Sequence, residues 1–461
     1  MADLRTEFAG IRSPNPFWLA SAPPTNSGAQ VHRAFEAGWG GAVWKTIGAP
    51  VLNVSNRYGA WHYGEQKMLA INNVELISDR PLDTNLREIA EVKRQWPDRA
   101  VIVSAMVESK PEAWSEIVRR IEDTGADGIE LNYGCPHGMS ERGMGSAVGQ
   151  VPEYCEEITG WVKKAAKIPV IVKLTPNITN IVSPARAAAS AGADGLSLIN
   201  TLNSIIGVDL DTLEITPSIG GKGGHGGYAG PAVKPIALNM LAALGTDPMV
   251  AAARRPISGM GGISNWKDAA EFLLLGASSL QVCTAVMHYG FRIIEDLCDG
   301  LSHWMDAKGF ATIQDVVGKS LGRVSDFKDF DLAFRAVARI DPALCIRCNL
   351  CYVACNDTAH QCIDLIGADG ARVEPHSYAV HSNGKQEALE TRPQPRVREE
   401  DCVGCRLCYN VCPVHGCIEM VELPPLQPRV TWDEISKLRQ EVTESWDAME
   451  RYRAEHGIHI H

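Results

Sequence analysis

Eight of the fourteen cysteines fall in two short runs near the C-terminus, and their spacing restricts what that part of the chain can fold around. The first run is Cys345, Cys348, Cys351 and Cys355; the second is Cys402, Cys405, Cys408 and Cys412, followed by Pro413. Each reads C-x2-C-x2-C-x3-C, the pattern of a two-cluster ferredoxin, in which three thiolates of one run hold a [4Fe–4S] cube and the fourth crosses to the other. The expected ligand sets are Cys345, Cys348 and Cys351 with Cys412, and Cys402, Cys405 and Cys408 with Cys355. Zinc is the competing metal, but its cysteine sites typically use two separated C-x2-C pairs. Three thiols at i, i+3 and i+6 with a fourth four residues on, twice over, fit clusters better. Asn356 stands where proline usually follows the fourth ligand. Such clusters pass single electrons, so the pattern points to redox chemistry.

The remaining sequence is long enough for a large barrel. From about residue 17 to 305, short β-rich runs alternate with helical patterns. The expected strands are Phe17–Ala22, Gly41–Ile47, Val101–Met106, Gly128–Tyr133, Val170–Thr175, Gly195–Asn200, Ile257–Gly262 and Ser279–Ala285. Helical periodicity lies between them, near 29–37, 83–95, 111–123, 152–166, 180–191, 233–245, 266–275 and 288–305. Eight such units read as an α/β chain forming a (β/α)8 TIM barrel. A doubly wound open sheet is the alternative, disfavoured by the count of eight and by the lack of a GxGxxG turn after the first strand. The expected division is a barrel over 1–305, a helical connector over 306–340, a small α+β ferredoxin-like domain over 341–422 with an inserted loop at 367–400, and a helical tail over 423–461. In the tail, Thr431 and Glu434 form a capping box ahead of an apolar stripe of Ile435, Leu438, Val442, Trp446 and Met449.

With 461 residues and a net charge of −11, the chain has no basic tract of the kind that binds nucleic acid or an anionic membrane surface. No apolar run approaches the ~18 residues a bilayer requires, and the first ten residues lack the apolar core of a signal peptide. The six other cysteines are scattered. A reducing, cytoplasmic setting is the expectation.

In a barrel, polar residues at the C-terminal ends of strands are where chemistry is expected. Lys45 and Thr46 close the second strand, Asn132 the fourth, Lys173 the fifth, Asn200 and Thr201 the sixth. Gly261 and Gly262 end the seventh, and Cys283 and Thr284 lie late in the eighth. Glycines after strand seven allow backbone N–H groups to approach a phosphate closely. A phosphate-bearing flavin such as FMN fits, because it can take electrons singly and release a hydride. Lys45 and Lys173 are candidates to stabilise its reduced form; interior lysines paired with carboxylates are the plainer reading. Cys135 follows strand four directly and opens the glycine-rich segment Cys135–Gly145. An unperturbed thiol, with a pKa of about 8.5, is mostly protonated near neutral pH and can donate a proton. His137 and Arg142 would lower that value if they point inward. A buried inert cysteine is the structural alternative.

These residues lie in stretches that resemble the catalytic part of the dihydropyrimidine dehydrogenase family: PFWLASA, FEAGWGGAVWKT, NNVELIS, ELNYGCPHGMSERGMG, VIVKLTPN, GADGLSLINT, GMGGI and SLQVCTAV, followed by CIRCNLCYVACND and CVGCRLCYNVCP. They span nearly everything from about residue 10 to 422. The resemblance implies that Ser21, Lys45, Thr46, Lys173, Gly230, Gly261, Gly262, Cys283 and Thr284 contact FMN. It implies that Asn73, Asn132, Asn200 and Thr201 hold the pyrimidine, and that Cys135 is the general acid under a closing loop. Gly134 stands where animal members carry a serine that touches substrate. The insertion between the cysteine runs is longer than usual, and the tail is extra.

What the resemblance implies is reversible reduction of uracil and thymine to 5,6-dihydropyrimidines, with FMN and two [4Fe–4S] clusters on this chain. The NAD(P)H and FAD sites would lie on a partner flavoprotein of a hetero-oligomer. A dihydroorotate dehydrogenase-like enzyme, another heterocycle-reducing flavoenzyme and a non-catalytic electron-transfer subunit are the alternatives.

Overall fold

The computed structural model describes residues 1–49, 51–135, 143–373, 392–441, 451 and 453–456, and the chain divides into two compact units, Met1–Val324 and Ser325–His461. The first is a closed barrel of eight parallel strands. We number them β1 (Phe17–Leu19), β2 (Gly41–Ile47), β3 (Ala100–Ala105), β4 (Gly128–Asn132), β5 (Val170–Lys173), β6 (Gly195–Leu198), β7 (Ile257–Met260) and β8 (Ala277–Val282). Each pairs with its sequence neighbour, and β8 returns to β1 with Leu280 opposite Phe17. β2 is buried along its whole length, as are β3 and β4. This follows from their apolar sequences, since a parallel strand under a helical layer is covered on both faces.

The outer helices form where apolar residues recur at helical spacing. In Pro111–Glu122 the buried residues are Trp114, Ile117, Val118 and Ile121, one face of a 3.6-residue period. Proline at its first turn costs no hydrogen bond. Asn265 and Asp268 cap Trp266–Leu274 reciprocally, satisfying N–H groups the helix leaves unpaired. The N-terminal hairpin, Thr6–Phe8 with Ile11–Ser13, closes the opposite end of the barrel. Phe8 and Ile11 pack on Trp18, Val43, Ile102 and Ile171, and Thr6 Oγ1 donates to the carbonyl of Ser278 at the start of β8. The C-terminal end of the strands is therefore the open one.

The eight expected strands are present, several ending two or three residues earlier than expected, and the last expected helix, 288–305, is replaced by Thr284–Tyr289 and Ile293–Lys308; β8 is shifted as well. It ends at Val282 because Thr284 already opens the short helix Thr284–Tyr289; the apolar run SLQVCTAV does not mark that change. A four-stranded antiparallel sheet was not expected from the sequence. Its order is Leu202–Ser204, Gly226–Ala229, Gln66–Asn73, Tyr58–Tyr63, and its strands come from the loops after β2 and β6.

In the second unit, Arg335–Ile340 pairs antiparallel with Ile418–Leu423, and Ile363–Ile366 with Gln394–Val397. The stretch 306–340, expected to be helical, thus ends in a strand, and the helix Ile313–Val316 is four residues long. Gln394–Val397 lies inside the stretch expected as an inserted loop; residues 374–391 lie outside those described. Thr431 and Glu434 form the expected capping box, with Thr431 N and Oγ1 both donating to Glu434 Oε2 at 2.6 and 2.9 Å. Ile435 is buried; Val442, Trp446 and Met449, and the side chain of Leu438, are outside the described set.

The barrel wall depends on large buried side chains. Trp44 is fully enclosed and its Nε1 donates to Asn85 Oδ1 at 3.1 Å. Trp44→Ala should cost about 3–5 kcal/mol, measured as a lowered urea midpoint of the intact chain with unchanged slope.

Candidate active site

The open end of the barrel leads into a cavity of about 1350 Å³ including its mouth. Fourteen of the fifteen barrel positions singled out in the sequence line it: Ser21, Lys45, Thr46, Asn73, Asn132, Cys135, Lys173, Asn200, Thr201, Gly230, Gly261, Gly262, Cys283 and Thr284. They come from the C-terminal ends of the barrel strands and the turns just after them and, for Asn73 and Gly230, from the antiparallel sheet and the residue that follows it. The fifteenth, Gly134, acts by its size: a Cβ there would sit 2.5 Å from Asn200 Cβ and 2.6 Å from its Nδ2. Absence of a side chain at 134 is what lets Asn200 occupy its place.

A hydrogen-bond network fixes the amides. Asn132 Nδ2 donates to Thr46 Oγ1 at 2.9 Å, and Asn132 Oδ1 accepts from Asn200 Nδ2 at 3.0 Å and from Gly134 N at 3.2 Å. Asn200 Oδ1 accepts from Thr201 N at 2.8 Å. Thr46 Oγ1 also shares hydrogen bonds with Ser21 and Ser104, and Asn73 Nδ2 donates to the carbonyl of Gly227 at 2.9 Å. An amide carries two N–H donors and an acceptor with two lone pairs, so Asn132, Asn200 and Asn73 keep capacity for a ring that presents both carbonyls and N–H groups. Ser104 is a member the sequence reading missed.

Both lysines are paired with carboxylates and line the cavity as well. Lys45 forms an ion pair with Glu75, which also accepts from Tyr58 OH and lies 3.4 Å from Arg57. Lys173 Nζ lies 3.6 Å from Glu130 Oε1, with Glu130 fully buried. Glu75, a cavity-lining residue, was missed too; its position in the sheet strand's exit is not visible in the periodicity. Cys135 is buried in a small apolar cluster with Ile77, Met106 and Met144. The continuation of its loop, with His137 and Arg142, falls outside the described residues.

The glycines fit a flavin phosphate. Gly261 and Gly262 have φ of 121° and 85°, and a Cβ would come within 2.8 Å of Ala237 Cβ at the first and 2.9 Å of Lys234 at the second. Glycine is required for that backbone, because a side chain would strike these neighbours and push the chain out of its place on the cavity wall. Burial pushes the Cys283 thiol up to about 11, so it presents an uncharged surface there. Cys155 is the inert counterpart, raised to about 12 by burial and donating to the carbonyl of Val148.

In the second unit, two cavities gather the cysteines. Cys345, Cys348, Cys351 and Cys412 line one of about 290 Å³; Cys355, Cys402, Cys405 and Cys408 line another of about 310 Å³. Each void thus takes three thiols from one run and the fourth from the other, and its walls are largely apolar, including Ile340 and Val414 in one and Ile363 and Met420 in the other. Four thiols around a space of this size suit a cubane cluster.

Comparison with known proteins gives the lineage. A family model described as dihydroorotate dehydrogenase matches residues 3–305, and one described as a 4Fe-4S dicluster domain matches residues 338–420. The Escherichia coli (strain K12) NAD-dependent dihydropyrimidine dehydrogenase subunit PreA is 40% identical over 422 residues, covering 91% of this chain and 96% of that protein. The chain belongs to the dihydropyrimidine dehydrogenase family. Like that family, it is an oxidoreductase of the flavin and iron–sulfur type. The chloroplastic dihydropyrimidine dehydrogenase (NADP(+)) of Arabidopsis thaliana is 41% identical over 328 residues, covering 69% of this chain and 77% of that one. The catalytic subunit of dihydroorotate dehydrogenase B (NAD(+)) from Pyrococcus abyssi is 35% identical over 318 residues, covering 69% and 99%. A dihydroorotate dehydrogenase structure from Eimeria tenella, solved with ferulenol, superposes with a TM-score of 0.56 at 20% identity over 68% of this chain and 88% of that one, which concerns the fold alone. No helix of the described residues is long and apolar enough to cross a membrane.

Two outcomes test these sites. Gly261→Ala should lower flavin retained per chain through strain at φ 121°, read by absorbance after gel filtration, with iron content unchanged. Cys355→Ala and Cys402→Ala should erase the same cluster signal in electron paramagnetic resonance, and Cys345→Ala and Cys412→Ala the other.

Proposed function

We propose that the chain is the pyrimidine-reducing subunit of a dihydropyrimidine dehydrogenase, interconverting uracil or thymine with its 5,6-dihydro form in the cytoplasm. The observation that carries this is the shared cavity: a buried thiol, three asparagine amides, two lysines and a glycine cradle all face one space. When bound, FMN would supply the hydride from N5 to C6 of the ring, and the two [4Fe–4S] clusters would supply single electrons from an NAD(P)H-oxidising flavoprotein partner.

The chain's own residues do the rest. Asn73, Asn132, Asn200 and Thr201 orient the ring through its carbonyl and N–H edges, and the Asn132–Thr46–Ser104 chain of hydrogen bonds holds them in register. Ser21, Thr46, Gly230, Gly261, Gly262, Cys283 and Thr284 would hold the flavin, and Lys45 and Lys173 would stabilise its reduced form. Cys135 gives its proton to C5; in the reverse direction its thiolate accepts one. The apolar wall of Ile77, Met106 and Met144 keeps water from the thiol.

Dihydroorotate is the neighbouring substrate class, and Glu75 argues against it. Its carboxylate lies beside Lys45 at the cavity wall and offsets the positive charge that a substrate carboxylate would need. A non-catalytic wiring role leaves the amide network and the glycine cradle without purpose.

Cys135→Ala should keep flavin and iron but lower uracil turnover by about 10² or more, as loss of a general acid does; full activity would sink the assignment. Glu75→Gln should raise turnover of orotate relative to uracil with a chemical reductant, the sign expected when a repelling carboxylate is removed.

A further inference from the structure

Two cysteines beyond the eight ligands lie against the clusters. Cys362 lines the same cavity as Cys355, Cys402, Cys405 and Cys408, and Cys417 lines the one with Cys345, Cys348, Cys351 and Cys412. Both are almost fully buried, at 4% and 2% exposure. A cube has four irons and takes one external thiolate on each, so with four ligands already present each extra thiol is left over. Packing alone would account for a buried cysteine. It does not account for where the sulfur of Cys362 points.

Cys362 Sγ lies 3.4 Å from Cys355 Sγ, and the backbone N–H of Cys362 also reaches Cys355 Sγ at 3.4 Å. An iron-bound cysteine sulfur has lost its proton and can only accept. The hydrogen between the two sulfurs therefore belongs to Cys362. At the other cavity Cys417 Sγ donates to the carbonyl of Asp341 at 3.8 Å and also interacts with the thiols of Cys412 and Cys345, but its backbone N–H goes to the carbonyl of Val414 at 3.2 Å rather than to a ligand sulfur.

We propose that Cys362 is a positioning residue of the second cluster: its S–H and N–H both bond the crossing ligand Cys355, raising that cluster's reduction potential above what its four thiolates alone would set. Hydrogen bonds to cluster sulfurs draw electron density from the iron core and are a recognised lever on potential. The inference depends on the cluster reading of these thiols, and iron content separates the two.

The test is a potentiometric titration of the anaerobically purified full chain, monitored by electron paramagnetic resonance, for wild type, Cys362→Ala, Cys362→Ser and Cys417→Ala. Cys362→Ala should retain wild-type iron and shift one cluster's transition to a more negative potential. Cys362→Ser, which keeps an O–H donor, should recover part of that shift, and Cys417→Ala should move the other transition by less. Unmoved potentials in Cys362→Ala with full iron would overturn the proposal. So would an equal or larger shift in Cys417→Ala, or loss of one cluster's iron in Cys362→Ala, which would make the thiol a ligand or a prop. Absence of iron from the wild type would instead overturn the cluster reading itself.

Discussion

A single enclosed carboxylate, Glu130, ties the upper part of the barrel together. From β4 its Oε2 accepts from Ser197 Oγ on β6 at 2.9 Å and from Gln281 Nε2 on β8 at 3.0 Å, and its Oε1 faces Lys173 on β5 at 3.6 Å. Gln281 reaches on to Ser258 on β7. Five of the eight strands thus meet through one polar layer where most barrels pack aliphatic side chains. A buried carboxylate requires charge compensation; Lys173 supplies it across 3.6 Å, although Oε1 has no hydrogen-bond partner among the described residues, so the brace and Lys173 hold each other in place by charge. Lys173 and Gln281 are also on the cavity wall, which makes this layer the floor of the site.

The mouth above that floor is ordered by the same logic. Thr46, Asn132 and Asn200 spend part of their hydrogen-bonding capacity on one another and the remainder is directed at the cavity. Preorganisation of this kind lets a ring be recognised without first paying to order the side chains that touch it. In the second unit the constraint is duplication: two runs of equal spacing each place their fourth cysteine in the other run's cavity, so neither set of four thiols is complete without the other half of the domain.

Much of this was legible in the sequence because the informative residues obey strong local rules. Thiol spacing in a cluster loop has few solutions, and buried parallel strands such as GAVWKTI are continuous apolar runs bounded by glycine. Lysines and asparagines at the ends of such runs stand out because they interrupt them. What was not legible depends on pairing between distant segments. The antiparallel sheet over the mouth joins short, partly exposed strands from two loops, with no periodicity to announce it. Glu130 reads as one polar residue inside a strand until Ser197 and Gln281 are brought beside it. Glu75 acquires meaning only opposite Lys45, and Cys362 only opposite Cys355. Gly134 could be noticed as a small residue, but its reason, the space taken by Asn200, is a packing fact.

The most direct measurement of the central claim is a reoxidation experiment on the purified full chain. The protein is reduced anaerobically, its visible spectrum recorded, and uracil or orotate added in excess. A pyrimidine-reducing flavin and cluster enzyme predicts a bleached flavin band over a broad iron–sulfur shoulder, about eight irons per chain for two cubes, and return of the oxidised spectrum with uracil at yields of dihydrouracil matching the electrons released. Reoxidation by orotate alone, or a protein that carries no flavin band to bleach, would contradict it.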